Sequence, residues 1–268
     1  VVNDLGTKLA KLAFEDRGAD MLLIMREEHG NVVPAMVSKG DDLGDVRLDV
    51  PYQLITILEN IYPWVSKGTI AIVTRRCDEK ALAELVKRKY VDDKRIVKIG
   101  LACSEDQIQS CRCDDPVPSA VDFGEPHDGV KGDELIARLE KMTQQERMDF
   151  WAGQFRKCNK CFGCTLNCPV CFCDDDCVLE DRTFVAEPNV PPGLSFHMIR
   201  SYHMIDKCIE CGECERSCPA EIPLLTMRKL LAKDMDDMFK FKPGDEKTVS
   251  PLNTTLEGER LEDECDEC

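Results

Sequence analysis

Residues 158–169 read C-N-K-C-F-G-C-T-L-N-C-P, and residues 208–219 read C-I-E-C-G-E-C-E-R-S-C-P. Each is C-x2-C-x2-C-x3-C-P, the run that holds cubane [4Fe–4S] clusters in bacterial ferredoxins. The spacing has a mechanical reason. Three thiolates two residues apart wrap a tight turn around three corners of the cube, with backbone N–H groups aimed at its sulfides. The fourth cysteine lies too far along, beside a proline that redirects the chain, and reaches the other cluster. The expected sets are therefore Cys158, Cys161, Cys164 with Cys218, and Cys208, Cys211, Cys214 with Cys168. Structural zinc, the blander reading, needs four ligands usually arranged as separated C-x2-C pairs, and two unbroken four-cysteine runs match that poorly.

The same choice arises for the whole chain, which carries 17 cysteines in 268 residues. Disulfide-dense chains are usually small and secreted. In a reducing compartment, thiols packed two or three residues apart are oxidation hazards unless a metal holds them. Metal sites are the better reading.

Upstream of the runs the pattern is α/β. Leu5, Leu9, Leu12 and Phe14 recur at helical spacing over residues 3–18, and short apolar runs follow at Met21–Met25 and Val32–Val37. A helix is expected over Tyr52–Val65 after Pro51, a buried strand over Thr69–Val73, a helix over Ala81–Tyr90 and a strand over Ile96–Leu101. Strand, helix, strand at this spacing predicts a βαβ unit and a small parallel or mixed sheet. Residues 111–132 are rich in Pro, Gly and Asp and read as an irregular linker. Helices are expected over Asp133–Met142, Gln144–Phe155, Phe196–Ile205 and Leu224–Met238. The organisation expected is an α/β domain at 1–140, an α-helical two-cluster ferredoxin domain at 141–245, and an acidic, flexible tail at 246–268.

Charge narrows the partners. The chain has 35 Lys and Arg against 51 Asp and Glu, a net of −16, and residues 158–268 contribute −11 of it. Such a surface repels phosphate backbones and anionic lipid, so nucleic acid is not an expected partner. An acidic surface suits docking with basic patches on redox proteins, and it also simply confers solubility. No run approaches the ~18 apolar residues of a membrane helix, and no charged-then-apolar stretch marks a secretory signal. Direct membrane insertion is disfavoured and a cytoplasmic location is expected.

Between Cys168 and Cys208 lie 39 residues, and Ser195–Lys207 reads as a helix leading into the second run. In this the segment resembles the α-helical ferredoxins of heterodisulfide reductase small subunits and succinate dehydrogenase iron–sulfur subunits. His197 and His203 lie on that helix and read as packing or surface residues.

Nine further cysteines need an account. Cys77 follows a strand in V-T-R-R-C-D-E-K-A-L, at a helix N-terminus where the dipole favours thiolate. Cys103 ends the next strand in I-G-L-A-C, and Cys111 and Cys113 follow. Adjacent parallel strands would bring Cys77 and Cys103 to the C-terminal edge of the sheet, where open α/β sheets place their sites. This stretch resembles the core domain of the beta-subunit family of deazaflavin-coenzyme-reducing hydrogenases and formate dehydrogenases. That resemblance implies a third [4Fe–4S] cluster near a flavin, held by a strand-end cysteine (Cys77), a second in the I-G-L-x-C element (Cys103) and a later one; the set expected here is Cys77, Cys103, one of Cys111 or Cys113, and, from its position just past the first run, one of Cys171 or Cys173. FAD is the flavin implied, with Arg75 and Arg76 as contacts to its phosphate. The chain has no G-x-G-x-x-G or P-loop, and it carries its ferredoxin runs after the sheet domain, whereas that family has them before it. Cys265 and Cys268 close an acidic tail as C-D-E-C and read as a solvated pair; Cys177 has no assigned role.

Two functions fit. One is a non-catalytic iron–sulfur subunit of a soluble anaerobic oxidoreductase, relaying single electrons between a flavin or metal catalytic subunit and another acceptor. Its partners would be other subunits of a hydrogenase, formate dehydrogenase or heterodisulfide-reductase-like complex. The alternative is a flavin-containing subunit that itself reduces a soluble deazaflavin, flavin or nicotinamide cofactor.

Overall fold

A computed structural model describes residues 4–171, 173, 177–179, 190–245 and 247–253. Helix α1 (Asp4–Ala10) runs on into a π-helical turn, Lys11–Asp16. The helix expected over 3–18 is thus one rod that widens at its second half and stops at Gly18, whose φ of 66° few side chains tolerate. Strands β1 (Met21–Glu28) and β2 (Asn31–Ser38) form an antiparallel hairpin across His29-Gly30, both left-handed, the backbone that a two-residue hairpin turn demands. A two-residue strand, β3 (Asp45–Val46), also pairs antiparallel with β1.

Helix α2 (Leu54–Ile61) leads to β4 (Ile70–Thr74), α3 (Arg76–Lys87) and β5 (Ile96–Gly100). The sheet order is β2-β1-β4-β5, with β4 parallel to both β1 and β5. All five residues of β4 are buried, as expected of a central strand covered on both faces. The sheet is therefore small and mixed, and β4-α3-β5 is the βαβ unit read from the sequence. Helix α3 starts five residues earlier than its apolar pattern suggests, because the Asp78 carboxylate accepts from the Arg75 N–H at 2.8 Å and caps the first turn. That extension places Cys77 inside the helix.

After α4 (Glu105–Cys111) the chain is irregular as far as Asp133, yet it is packed rather than spanning. It runs against the end of β5, where Leu101 and Phe123 form a parallel bridge and the Asp122 carboxylate accepts from the Gly100 N–H. Helices α5 (Glu134–Glu140) and α6 (Gln144–Phe155) follow, then the one-turn α7 (Gly163–Leu166), α8 (Leu194–His203), one-turn α9 (Glu213–Arg216) and α10 (Leu224–Phe239). Helix α8 ends short of the second cysteine run, and Cys208 is tied back to it through its N–H to the Met204 carbonyl.

The main apolar core lies around the sheet and also takes in Val170, Met204 and Ile209, with Cys168, Cys208 and Cys211 packed against it. A smaller cluster of Phe155, Ile222 and Leu224 supports Cys158, Cys164, Cys214 and Cys218. No described helix is long and apolar enough to cross a membrane.

Candidate metal centres

The two cysteine runs fold alike, fifty residues apart. Lys160 and Glu210 are left-handed, as are Phe162 and Gly212, and each loop then enters a single helical turn, α7 or α9. The left-handed steps turn N–H groups inward. Lys160 N–H lies 3.3 Å from the Cys158 sulfur, and the Glu210 N–H makes the equivalent bond to Cys208. Such N–H···S bonds stabilise anionic sulfur.

Each helical turn carries its fourth cysteine across to the other loop. Cys158, Cys161, Cys164 and Cys218 line one cavity, and Cys208, Cys211, Cys214 and Cys168 line another. These are the two sets that the spacing predicts. The two cavities are small and alike in size, so the two sets suit the same kind of group. Among the described residues no three His, Cys, Asp or Glu side chains converge as a single ion would require.

Burial dominates the electrostatics. It pushes the Cys208 thiol up to about 11 and Cys214 to about 12, against the opposing charge of Arg228, and raises Cys211 well above the ordinary range. Two buried arginines stand among these sulfurs. Arg200 donates to the Cys164 carbonyl at 3.0 Å; burial works against its charge, but the sulfurs of Cys168, Cys171 and Cys164 outweigh that, and its pKa rises. Arg228 donates to the Arg200 carbonyl at 3.5 Å. Sequence reasoning missed both, since nothing in the helical pattern of α8 or α10 separates an inward arginine from a solvated one.

His197 lies in the wall of the Cys158 cavity, stacked on Phe155 with ring centroids 4.2 Å apart. Burial and the charge of Arg228 lower its pKa to about 4, and its Nε2 has no hydrogen-bond partner. His203, on the same helix, is half-buried.

A third set gathers at the sheet edge. The parallel register pairs Thr74 with Gly100, so the chain leaves β4 and β5 side by side. Cys77 in α3, Cys103 after β5, and Cys111 and Cys113 around the end of α4 line one cavity. Arg112, left-handed, ends α4 between the last two. Gln53 Nε2 donates to Cys77 at 3.1 Å and Arg216 to Cys111 at 2.9 Å. Burial raises the Cys77 and Cys113 thiols and pushes Cys103 up to about 11, with Arg75 opposing it.

The structure distributes the candidate cysteines of this set unevenly. Both Cys111 and Cys113 belong to its walls, whereas Cys171 and Cys173 do not. Cys171 instead lies near Cys168, Cys173, Cys177 and Arg200. Cys177 packs near Leu179 and Phe196. Cys265, Cys268 and most of the acidic tail fall outside the described residues.

Arg75 and Arg76 are engaged by the protein. The Arg75 guanidinium donates to the carbonyls of Leu48, Val50 and Tyr52, and that of Arg76 to the Asp115 and Glu79 carboxylates.

No family model matches the chain. It is 32% identical over 130 residues to the F420-dependent formate dehydrogenase subunit beta of Methanocaldococcus jannaschii, covering 46% of this chain and 34% of that protein. It is 34% identical over 102 residues to the F420-dependent formate dehydrogenase 1 subunit beta of Methanococcus maripaludis, covering 38% of this chain and 26% of that protein. The chain thus spans about a third or less of the length of these curated relatives. Under half of it is similar to a part of the beta subunits of two formate dehydrogenases.

Proposed function

We propose that this chain is an iron–sulfur electron-transfer subunit of an oxidoreductase complex, passing single electrons between a flavin or metal catalytic subunit and another acceptor. The observation that carries the reading is the crosswise gathering of the eight cysteines, three from one run and the fourth from the other around each cavity. Thiolates are soft ligands suited to iron–sulfur clusters. Cys158, Cys161, Cys164 and Cys218 would hold one [4Fe–4S] cluster, and Cys208, Cys211, Cys214 and Cys168 a second. The Cys77, Cys103, Cys111 and Cys113 set would hold a third. Such a cluster takes up and releases one electron at a potential set by its surroundings.

This chain's residues supply those surroundings. N–H groups of Lys160 and Glu210 hydrogen-bond to ligand sulfur, Arg200 and Arg228 offset the negative charge of thiolates, and the apolar walls from Phe155, Ile222 and Leu224 keep water out. The likeness to formate dehydrogenase beta subunits supports membership of a multi-subunit oxidoreductase, with its other subunits as partners. Iron and acid-labile sulfide counted on chain purified without oxygen test the reading. About twelve of each per chain fits three clusters and about eight fits two, at four per cubane. Zinc without sulfide, or a colourless preparation with no paramagnetic signal after dithionite, overturns it.

A further inference from the structure

The two cysteine runs differ at a pair of positions that act together. Where the first run has Phe162 the second has Gly212, and where the first has Leu166 the second has Arg216. Leu166 is 71% exposed. Arg216 turns inward instead, and the glycine makes room for it: a Cβ on Gly212 would lie 3.1 Å from its Nη1. From there Nη1 donates to the Cys111 sulfur at 2.9 Å and to the Cys211 carbonyl at 3.0 Å, while Nη2 donates to the Glu213 carboxylate at 2.6 Å. Cys211 is in the walls of both the second and the third cavity, so this guanidinium occupies the partition between them.

We propose that Arg216 is the positioning residue that joins the third cysteine set to the second, and that its charge raises the reduction potential of the group held by Cys77, Cys103, Cys111 and Cys113. The proposal rests on the cluster reading above. A donor on a ligand sulfur withdraws electron density, and a fixed positive charge favours the more negative, reduced state. Arg75 also lies near this set, but its guanidinium is directed to three carbonyl oxygens, whereas that of Arg216 contacts a ligand sulfur. The transfer affected moves one electron across the partition, from the reduced group of one set to the oxidised group of the other, with no bond made or broken.

The test uses the full chain purified without oxygen, as wild type, Arg216→Gln and Arg216→Lys, with iron and sulfide counted and each paramagnetic signal titrated against potential. In R216Q the expected result is unchanged iron, with one signal moved to lower potential by at least tenfold in its oxidised-to-reduced ratio, about 59 mV for a one-electron couple. R216K, which keeps the charge but not the fork, is expected to recover part of that shift. Full iron with every midpoint unmoved, or with all three moved equally, overturns the proposal. If R216Q sheds the iron of that set, Glu213→Gln decides, because it frees the guanidinium from its carboxylate: a midpoint moved upward sustains the proposal, and one unmoved or moved downward overturns it. Wild-type chain with about eight irons and no third signal overturns instead the reading of the third set on which this rests.

Discussion

The hydroxyl of Ser217 lies 3.1 Å from the carbonyl oxygen of Gly163 and 2.7 Å from that of Glu213, and so bridges the helical turns of the two cysteine runs. The duplicated loops meet here. The contact depends on the absence of a side chain at 163, where a Cβ would stand 3.0 Å from the Ser217 carbonyl. That neighbour is backbone and yields little.

Gly163→Ala is therefore expected to destabilise the chain by about 1–3 kcal/mol as overpacking. Ser217→Ala should cost about 1 kcal/mol through its lost hydrogen bond. Denaturant midpoints on metal-loaded protein check both. Equal midpoints for wild type and G163A would show that the loops do not pack as described.

Two glycines elsewhere give opposite expectations. A Cβ on Gly100 would fall 1.6 Å from the Ala120 carbonyl oxygen, where the irregular segment runs against β5. Gly100→Ala should cost about 3 kcal/mol or more, a fall in Tm of roughly 6–12 °C for a chain of this size. Gly153 lies within α6 with nothing near its Cβ position, and Gly153→Ala should add about 1 kcal/mol. Thermal melts of the two variants side by side distinguish them.

Glu84 is fully buried on α3, pairs with Lys87 at 2.7 Å and with Arg88, and accepts from the Gly244 N–H at 2.6 Å. Removing it leaves two cations and a backbone donor without their shared acceptor. Glu84→Ala should lose about 3–5 kcal/mol. Amides around 241–250 should exchange faster than in wild type, since that segment is held to α3 through this carboxylate and the Lys87 contact to the Thr248 carbonyl. Hydrogen exchange by mass spectrometry reads this directly.

Metal removal should act unevenly. The sheet has a large apolar core of its own, while the buried apolar cluster against which Cys158, Cys164, Cys214 and Cys218 pack is small: Phe155, Ile222 and Leu224. After chelation under reducing conditions, amides in 158–168 and 208–224 are expected to lose protection first, with β1, β4 and β5 still protected. Simultaneous loss in both regions would show that the sheet also depends on metal.

Strand-helix alternation was enough to read the α/β half and a small parallel or mixed sheet, and cysteine spacing to propose the two crosswise sets, because those signals are local. Two residues between thiols dictate a tight turn, and a fourth cysteine three residues on cannot reach the same point. The third set was only partly legible. Cys77, Cys103, Cys111 and Cys113 come together through the parallel register of β4 with β5 and the left-handed turn at Arg112, neither of which leaves a fixed spacing in the chain. The same holds for Arg200, Arg216 and Arg228. An arginine on a helix looks the same in sequence whether it faces water or sulfur, and packing between elements distant in the chain decides which.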